Sequence, residues 1–243
     1  MLPDLPAEEL AAVLERVAGR ILRLAGLRRP PVDTLALANA LGIQTAVDRS
    51  QEARARFVEL RAAGGGNSRP AILLRPEPRA ERRHWAIAHE IGEQHAVDVF
   101  RRLKVSPRDA PPDTREWIAN QLANRILLPR KWLLRAGAAC NWDLAALKER
   151  FNTASHELIL RRMLDLEAPL IVSIYDHGSL TFRRGNFAAQ LPPVTPQESA
   201  CWRAAHSTGE YQSRRSVGQN IRAWPVHEEG WKRELLRMEL AEE

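Results

Sequence analysis

The chain has 243 residues, of which 44% are apolar and 27% are charged, and this composition excludes wholesale disorder, collagen and small disulfide scaffolds. Its longest apolar runs, such as residues 169–175, fall far below the ~20 residues that a membrane helix needs. The first residues do not resemble a secretory signal. Cys140 and Cys201 are too far apart for a Cys-x-x-Cys motif, which favours free thiols in a reducing compartment. We therefore expect a cytoplasmic protein without a membrane segment.

The net charge of +6 and a pI near 10 are features of many nucleic-acid-binding proteins. All but four of the 36 basic residues are arginine, however, and they are scattered along the chain among acidic residues. A bias of this kind is also what a GC-rich genome produces. Charge alone therefore favours nucleic-acid binding only weakly, and we do not expect direct DNA binding.

Apolar periodicity and turn residues predict an α+β chain with a helical centre at about residues 80–167. Helices are predicted over residues 7–26, 33–42, 81–104, 113–128, 143–150 and 155–166. Short strands are predicted over residues 43–47, 57–60 and 71–74, with a loop over residues 62–68 and a β-hairpin formed by residues 170–175 and 180–183. Asp33 is expected to cap the second helix.

A proline-rich seam at residues 192–196 predicts a boundary between a large domain, residues 1–190, and a small C-terminal module, residues 191–243. The module is rich in aromatic side chains: Trp202, Tyr211, Trp224 and Trp231. We interpret them as the core of that module in preference to a partner-binding face. Residues 224–234 are interpreted as a strand or loop that leads into a closing helix.

One His-Glu pair has the spacing of a metallopeptidase helix. In the segment HEIGEQH, His89 and Glu93 are four residues apart, so they project from one face of a helix. Glu90 lies ~100° further round, within reach of a water molecule on a shared metal. His95, two residues beyond Glu93, faces away on an ideal helix. A solvated polar helix face remains the alternative interpretation of this motif.

The next predicted helix, REWIANQLANRILLP, carries Glu116 in its first turn, 27 residues after His89. This spacing permits one helix, a loop and a second helix packed back across the first. The small side chains of Ala119 and Ala123 would allow the two helices to approach closely. Glu116 is also well placed to stabilise the N-terminus of its own helix through the helix dipole.

These two helices together resemble the ImmA/IrrE family of bacterial metallo-endopeptidases, in which a helix with HExxH precedes a helix that begins ExxAN and ends in a Leu-Leu-Pro-like stop. The segment of residues 30–43 resembles the N-terminal helix pair of the family. Residues 143–166 resemble its helix-turn-helix-like segment. The resemblance covers about residues 10–185.

The resemblance implies an α+β fold with a zincin-like minimal protease core, meaning a helical centre with a short sheet. It implies an intracellular endopeptidase that cleaves a regulatory protein such as a bacterial transcriptional repressor, in a stress response or in the induction of mobile elements. His89 and Glu116 would be metal ligands and Glu90 the general base that activates a metal-bound water. Glu93 stands where the family has its second histidine.

Glu93 adds a negative charge to the expected site. A set of one histidine and two carboxylates still suits Zn²⁺, which we expect as the cofactor, but it shifts the preference towards Mn²⁺ or Fe²⁺. Weak metal binding or a metal-free protein is the other outcome of this substitution. The competing hypothesis is therefore a non-catalytic member of the family that binds a protein or DNA partner.

Two further features are candidate sites. In residues 143–166, Arg161 and Arg162 lie late in the second helix, whereas base-reading side chains cluster near the start of a recognition helix. A packed helix pair is thus favoured over a DNA reader. His84, one turn before the motif, is interpreted as a surface histidine in preference to a residue that supports a metal ligand.

Overall fold

A computed structural model describes residues 6–61 and 68–240, so the predicted loop lies outside the described residues except at Ser68. The chain divides into two compact units, of which the first ends at Ser155 and the second begins at His156. Each unit combines α-helices with one β-sheet. This mixed architecture agrees with the predicted α+β class.

The first unit has six helices and a three-stranded sheet among its described residues. Its helices are α1 (Ala7–Leu24), α2 (Thr34–Ala40), α3 (Ala80–Leu103), α4 (Thr114–Leu127), α5 (Arg130–Ala139) and α6 (Leu144–Arg150). Its strands are β1 (Gln44–Val47), β2 (Ala55–Leu60) and β3 (Arg69–Leu74). In the order β1-β3-β2, β1 pairs in parallel and β2 antiparallel with β3.

Local sequence explains most of these boundaries. The Asp33 carboxylate accepts hydrogen bonds from two N–H groups in the first turn of α2, as predicted. Asp113 precedes α4 but forms no side-chain cap there. Helix α5 was not predicted. Pro129, interpreted as a stop signal, ends α4 and also precedes the first residue of α5, a role its fixed φ favours.

Helices α3 and α4 form the centre of the first unit, and Ile87, Ile91, Ile118 and Leu122 are fully buried there. Their close approach depends on Gly92. A Cβ atom on Gly92 would lie 2.8 Å from the carbonyl oxygen of Ala119 and 3.1 Å from Leu122 Cβ. Ala119, expected from the sequence to allow a close crossing, is the residue whose backbone faces Gly92. The crossing places the His89 turn of α3 beside the first turns of α4.

We expect Gly92→Ala to destabilise the first unit by about 1–2 kcal/mol, measured by urea denaturation. Alanine favours a helix by about 1 kcal/mol over glycine, but overpacking costs about 1–3 kcal/mol, and here the added methyl group meets backbone that cannot rotate away. Val97→Ala, on the 49%-exposed Val97 of the same helix, should change stability by less than about 0.5 kcal/mol. A Gly92→Ala protein as stable as the native one would contradict this account of the crossing.

The second unit consists of a five-stranded antiparallel sheet with helices. Its elements are α7 (His156–Arg162), a 3₁₀ turn (Met163–Asp165), β4 (Leu170–Asp176), β5 (Ser179–Gly185), α8 (Pro196–Thr208), β6 (Gln212–Ser216), β7 (Gln219–Glu228) and β8 (Trp231–Leu240). The strand order is β5-β4-β8-β7-β6. Helix α8 contributes the buried Cys201 and Ala205 to a core with Ile171, Leu236 and Met238 of the sheet.

The domain boundary differs from the one predicted. The β4–β5 hairpin, assigned from the sequence to residues 1–190, pairs through β4 with β8 near the C-terminus. It therefore belongs to the second unit, and a boundary at residue 190 falls inside that unit. The predicted helix pair over residues 143–166 is also divided, because α6 lies in the first unit and α7 in the second.

Up to residue 240, where the described part of the chain ends, the C-terminal segment forms no closing helix. Residues 231–240 are β8, the central strand of the sheet. Of the aromatic residues in the predicted module, Trp224 is buried and Trp202 packs against the core, whereas Tyr211 is 48% exposed.

Both cysteines are free, and burial raises the pKa of the Cys201 thiol to about 11. Among the described residues, no helix has both the length and the apolar character to cross a bilayer.

Candidate metal centre

Helix α3 presents the HExxE motif between core and solvent. Ile87 and Ile91 face the core and are fully buried. His89 and Glu93 share one side of the helix with each other and are half-buried. One ligand atom from each of His89, Glu90 and Glu93 lies within 4.8 Å of the others. The structure thus brings the three α3 residues of the predicted site together.

Helix α4 brings Glu116 to His89. Glu116 Oε2 lies 3.5 Å from His89 Nε2. The Asn120 side chain connects the two residues: its Oδ1 lies 3.0 Å from His89 Nδ1, and its Nδ2 donates to Glu116 Oε1 at 3.3 Å. Because Asn120 Oδ1 only accepts hydrogen bonds, His89 Nδ1 carries the proton. In the neutral ring, Nε2 then presents its lone pair on the Glu116 side.

A tryptophan fixes the plane of the His89 ring. Trp85 stacks on His89 with 5.2 Å between ring centroids, and its indole N–H donates to Asn124 Oδ1. Glu116, Asn120 and Asn124 follow one another at four-residue intervals and so line one face of α4. Trp85, Asn120 and Asn124 were not predicted to support the site. The signal for the two asparagines was this spacing, counted from Glu116, whereas Trp85 lies four residues before His89 on α3.

Glu90 occupies the most enclosed position of the site, with 8% of its surface exposed. Its Oε2 accepts a hydrogen bond from the backbone N–H of Phe57 in β2 at 2.8 Å. Burial raises the pKa of Glu90 above its ordinary value; the Phe57 N–H and His89 act against this rise, and the charges of Glu93 and Glu116 add to it. A carboxyl group with a raised pKa is better matched to proton transfer near neutral pH.

Glu93 has a partner that the sequence analysis missed. Arg115, the residue before Glu116, places its guanidinium 3.3 Å from Glu93 Oε1. Both side chains are partly exposed, so this ion pair contributes little to stability. Its importance is local, because a permanent positive charge lies against the last carboxylate of the HExxE motif.

The two other histidines near the motif have separate partners. His84 is half-buried, and its Nδ1 lies 2.9 Å from Thr34 Oγ1 and accepts from the Thr34 backbone N–H, so it anchors the start of α2. This differs from the surface position expected for it. His95 pairs with Asp98 at 3.0 Å. Neither contact connects these rings to His89.

His89 and Glu116 have the spacing of two ligands on one divalent metal ion, although the group of ligand atoms that lie within 4.8 Å of one another comprises His89, Glu90 and Glu93 and not Glu116. Two ligands at about 2.0–2.2 Å from a tetrahedral zinc ion stand about 3.4 Å apart, which matches the 3.5 Å between His89 Nε2 and Glu116 Oε2. A ligating histidine usually donates its other N–H to a fixed acceptor, as His89 does to Asn120. Three carboxylates close to one imidazole also form an electrostatic environment that a dication stabilises.

We expect Asn120→Ala to weaken zinc binding at this site by about 10–100-fold, because it frees the His89 ring and the Glu116 carboxylate at once. The measurement is a zinc titration with a competing chelator. Asn39→Ala, which truncates an exposed asparagine of α2, is the matched control and should bind zinc as the native protein does. Equal affinity in the two variants would contradict the role assigned to Asn120.

Comparisons with known proteins give the fold and no family. No family model and no curated protein matches the sequence. Among solved structures, the chain is similar to a Mycobacterium tuberculosis transcriptional regulator, with a TM-score of 0.65 and 17% sequence identity over 97% of this chain and 81% of that one. At this identity the likeness concerns the fold alone.

Proposed function

We propose that this chain is a metal-dependent endopeptidase of the ImmA/IrrE type with a zincin-like core. The observation that carries the proposal is the bridge from Asn120 to both His89 and Glu116, which holds His89 Nε2 and Glu116 Oε2 3.5 Å apart. A buried carboxyl group, Glu90, stands beside them. Metal-assisted hydrolysis requires donor atoms that bind the metal, here His89 and Glu116, and a group that accepts a proton from water, here Glu90.

His89 and Glu116 would hold the metal, with Glu93 as the third protein ligand, and Zn²⁺ is the ion that suits this set best. The ion would supply Lewis acidity towards the scissile carbonyl group. Glu90 accepts the proton of the attacking water and delivers it to the leaving amine. The Phe57 N–H holds one oxygen of Glu90, so the other oxygen is free for this transfer.

The position of β2 supports an extended peptide as the substrate. Among the described residues, β2 pairs with β3 alone and forms an edge of its sheet. The Phe57 N–H points away from β3 to Glu90, and every second residue of an antiparallel strand shares that orientation. A peptide that adds to this edge as a strand would run past Glu90.

The substrate we propose is a regulatory protein, such as a transcriptional repressor, inside the cell. The support is the resemblance carried by the HExxE helix and the ExxAN helix. The similar fold of a protein named as a transcriptional regulator agrees with a regulatory setting.

Elemental analysis of purified protein tests the proposal. The His89→Ala protein should contain one equivalent of metal less than the native protein, at equal folded fraction by circular dichroism. His95→Ala, which removes a histidine of the same helix outside the cluster, should contain as much metal as the native protein. Equal metal content in native and His89→Ala proteins would overturn the metal site.

One observation favours a second candidate function, a non-catalytic regulator that binds a protein or DNA partner. The Arg115 guanidinium pairs with Glu93 and supplies, without a metal, part of the positive charge that the carboxylates require. In that case neither the native protein nor His89→Ala would hold a metal at this site. Salt-dependent DNA binding by the native protein would then favour a DNA partner over a protein partner.

A further inference from the structure

A second group of metal-ligating side chains lies in the second unit, where the sequence predicted only a small aromatic core. The Glu234 carboxylate on β8 has no exposed surface. Its Oε1 lies 2.6 Å from His227 Nε2 and 3.0 Å from His206 Nδ1. Two imidazole nitrogens and one carboxylate oxygen therefore lie within 4.8 Å of one another.

A neighbouring carboxylate shows what is unusual about Glu234. Glu198, also buried, is neutralised by the Arg183 guanidinium at 2.7 Å and accepts a hydrogen bond from Ser173 Oγ. Within the described residues, the ion-pair partners of Glu234 are the two imidazoles and no lysine or arginine. A buried carboxylate requires positive charge. At Glu234 a protonated imidazole or a bound cation would supply it, and the two histidines are themselves ligand types for such a cation.

The fold directs all three side chains to one side of the sheet. In the β7–β8 pairing, Pro225 lies opposite Glu234 and His227 opposite Lys232. Side chains two residues apart on a strand share a face, so His227 and Glu234 are diagonal neighbours on one face. His206 approaches from the last turn of α8, which packs against the core on that face.

The residues around His206, His227 and Glu234 hold these side chains in place in the way that outer residues hold metal ligands. The Trp202 indole N–H donates to Glu234 Oε2 at 3.1 Å and so directs Oε1 towards the histidines, as outer hydrogen bonds orient metal ligands. Trp202 is itself fixed by stacking on Tyr175. The side chains of His206 and His227 are 34% and 21% exposed, which leaves one side of the cluster open to an entering ion.

Little movement is needed to admit an ion. Donor atoms around a tetrahedral zinc ion stand about 3.3–3.4 Å apart, so the present separations of 2.6 and 3.0 Å must widen by less than about 1 Å. In the structure the two nitrogens that face Glu234 donate to its carboxylate, so an entering ion would replace these two protons and each neutral imidazole would carry its proton on the ring nitrogen that faces away from the metal. Two imidazoles and one carboxylate form a set that zinc binds with a fourth position open.

We propose that His206, His227 and Glu234 form a second divalent-metal site, of the class that binds Zn²⁺. The ion would join the C-terminal end of α8 to the β7–β8 hairpin. The site shares no residue with the His89 centre, so either site can exist without the other.

The test is the zinc content of full-length protein in the His89→Ala background, after dialysis against a zinc buffer and then against metal-free buffer. We expect one equivalent in His89→Ala and none when His227→Gln is added. His177→Gln, which changes an exposed histidine of the same unit, should keep the equivalent. Zinc at about 100-fold excess over its Kd should raise the Tm of His89→Ala by about 5–10 °C and leave the His227→Gln double variant unchanged.

The proposal is overturned if His89→Ala holds no zinc, or if its equivalent survives both His206→Gln and His227→Gln. Should His227→Gln fail to fold by circular dichroism, His206→Gln provides the same test on a more exposed side chain. The outcome is independent of the proposed peptidase function, which is judged by the difference between native and His89→Ala proteins.

Discussion

Glu90→Gln is expected to keep the metal at the His89 centre and to lower peptide cleavage by about 10²–10⁴-fold, the usual contribution of a general base. Glutamine has the shape of glutamate, and its side-chain oxygen can still accept the hydrogen bond from the Phe57 N–H. It has no basic oxygen with which to take a proton from water. The loss should therefore appear in kcat, with metal content unchanged.

The assay is the digestion of a proteome-derived peptide library by zinc-loaded protein, with the products identified by mass spectrometry. Glu149→Gln, on an exposed glutamate of α6, makes the same chemical change away from the site and should cleave as the native protein does. Native turnover by the Glu90→Gln protein would exclude the proposed mechanism. Loss of both metal and cleavage would assign Glu90 a structural part instead.

The central helix pair could be predicted from sequence because its signals are local. Four-residue spacing alone places His89 and Glu93 on one helix face. Glu116 falls in the first turn of a helix whose end is marked in the sequence by Pro129. The structure brings Glu116 within 3.5 Å of His89. The close crossing was also indicated, since a small residue, Ala119, was expected at the contact.

The supporting contacts could not be predicted because they depend on the register between the two helices. Asn120 bridges His89 and Glu116 only because Gly92 sets how the helices cross. Arg115 reaches Glu93 for the same reason. A shift of one residue between the helices would exchange these partners, and nothing within either helix alone fixes that shift.

Strand β8 was missed for a different reason. Its sequence, WKRELLRMEL, is rich in residues that favour helices, and it lacks the alternation of a half-buried strand. In the sheet it lies between β4 and β7, and Glu234 through Met238 are buried on both faces. A central strand covered on both sides need not alternate, so tertiary pairing overrides local preference. The His206–His227–Glu234 cluster was consequently not foreseen.

Glu93→His should raise the preference of the His89 centre for zinc over manganese by on the order of tenfold or more. The change replaces a carboxylate, a ligand type that suits Mn²⁺, by an imidazole, which suits zinc. It also removes the partner of Arg115. Competition between the two metals, measured in the His227→Gln background so that the second cluster does not contribute, gives the ratio directly.

Arg115→Gln separates the two effects of that substitution. It leaves Glu93 in place but removes the guanidinium 3.3 Å away, so affinity for both metals should rise while the zinc-to-manganese ratio stays close to the native value. If Arg115 acts as a substitute cation, Arg115→Gln will gain metal that the native protein does not hold. If Glu93 is a ligand, only Glu93→His will change the ratio. A ratio that is the same in all three proteins would show that Glu93 does not contact the metal, leaving His89 and Glu116 as its protein ligands.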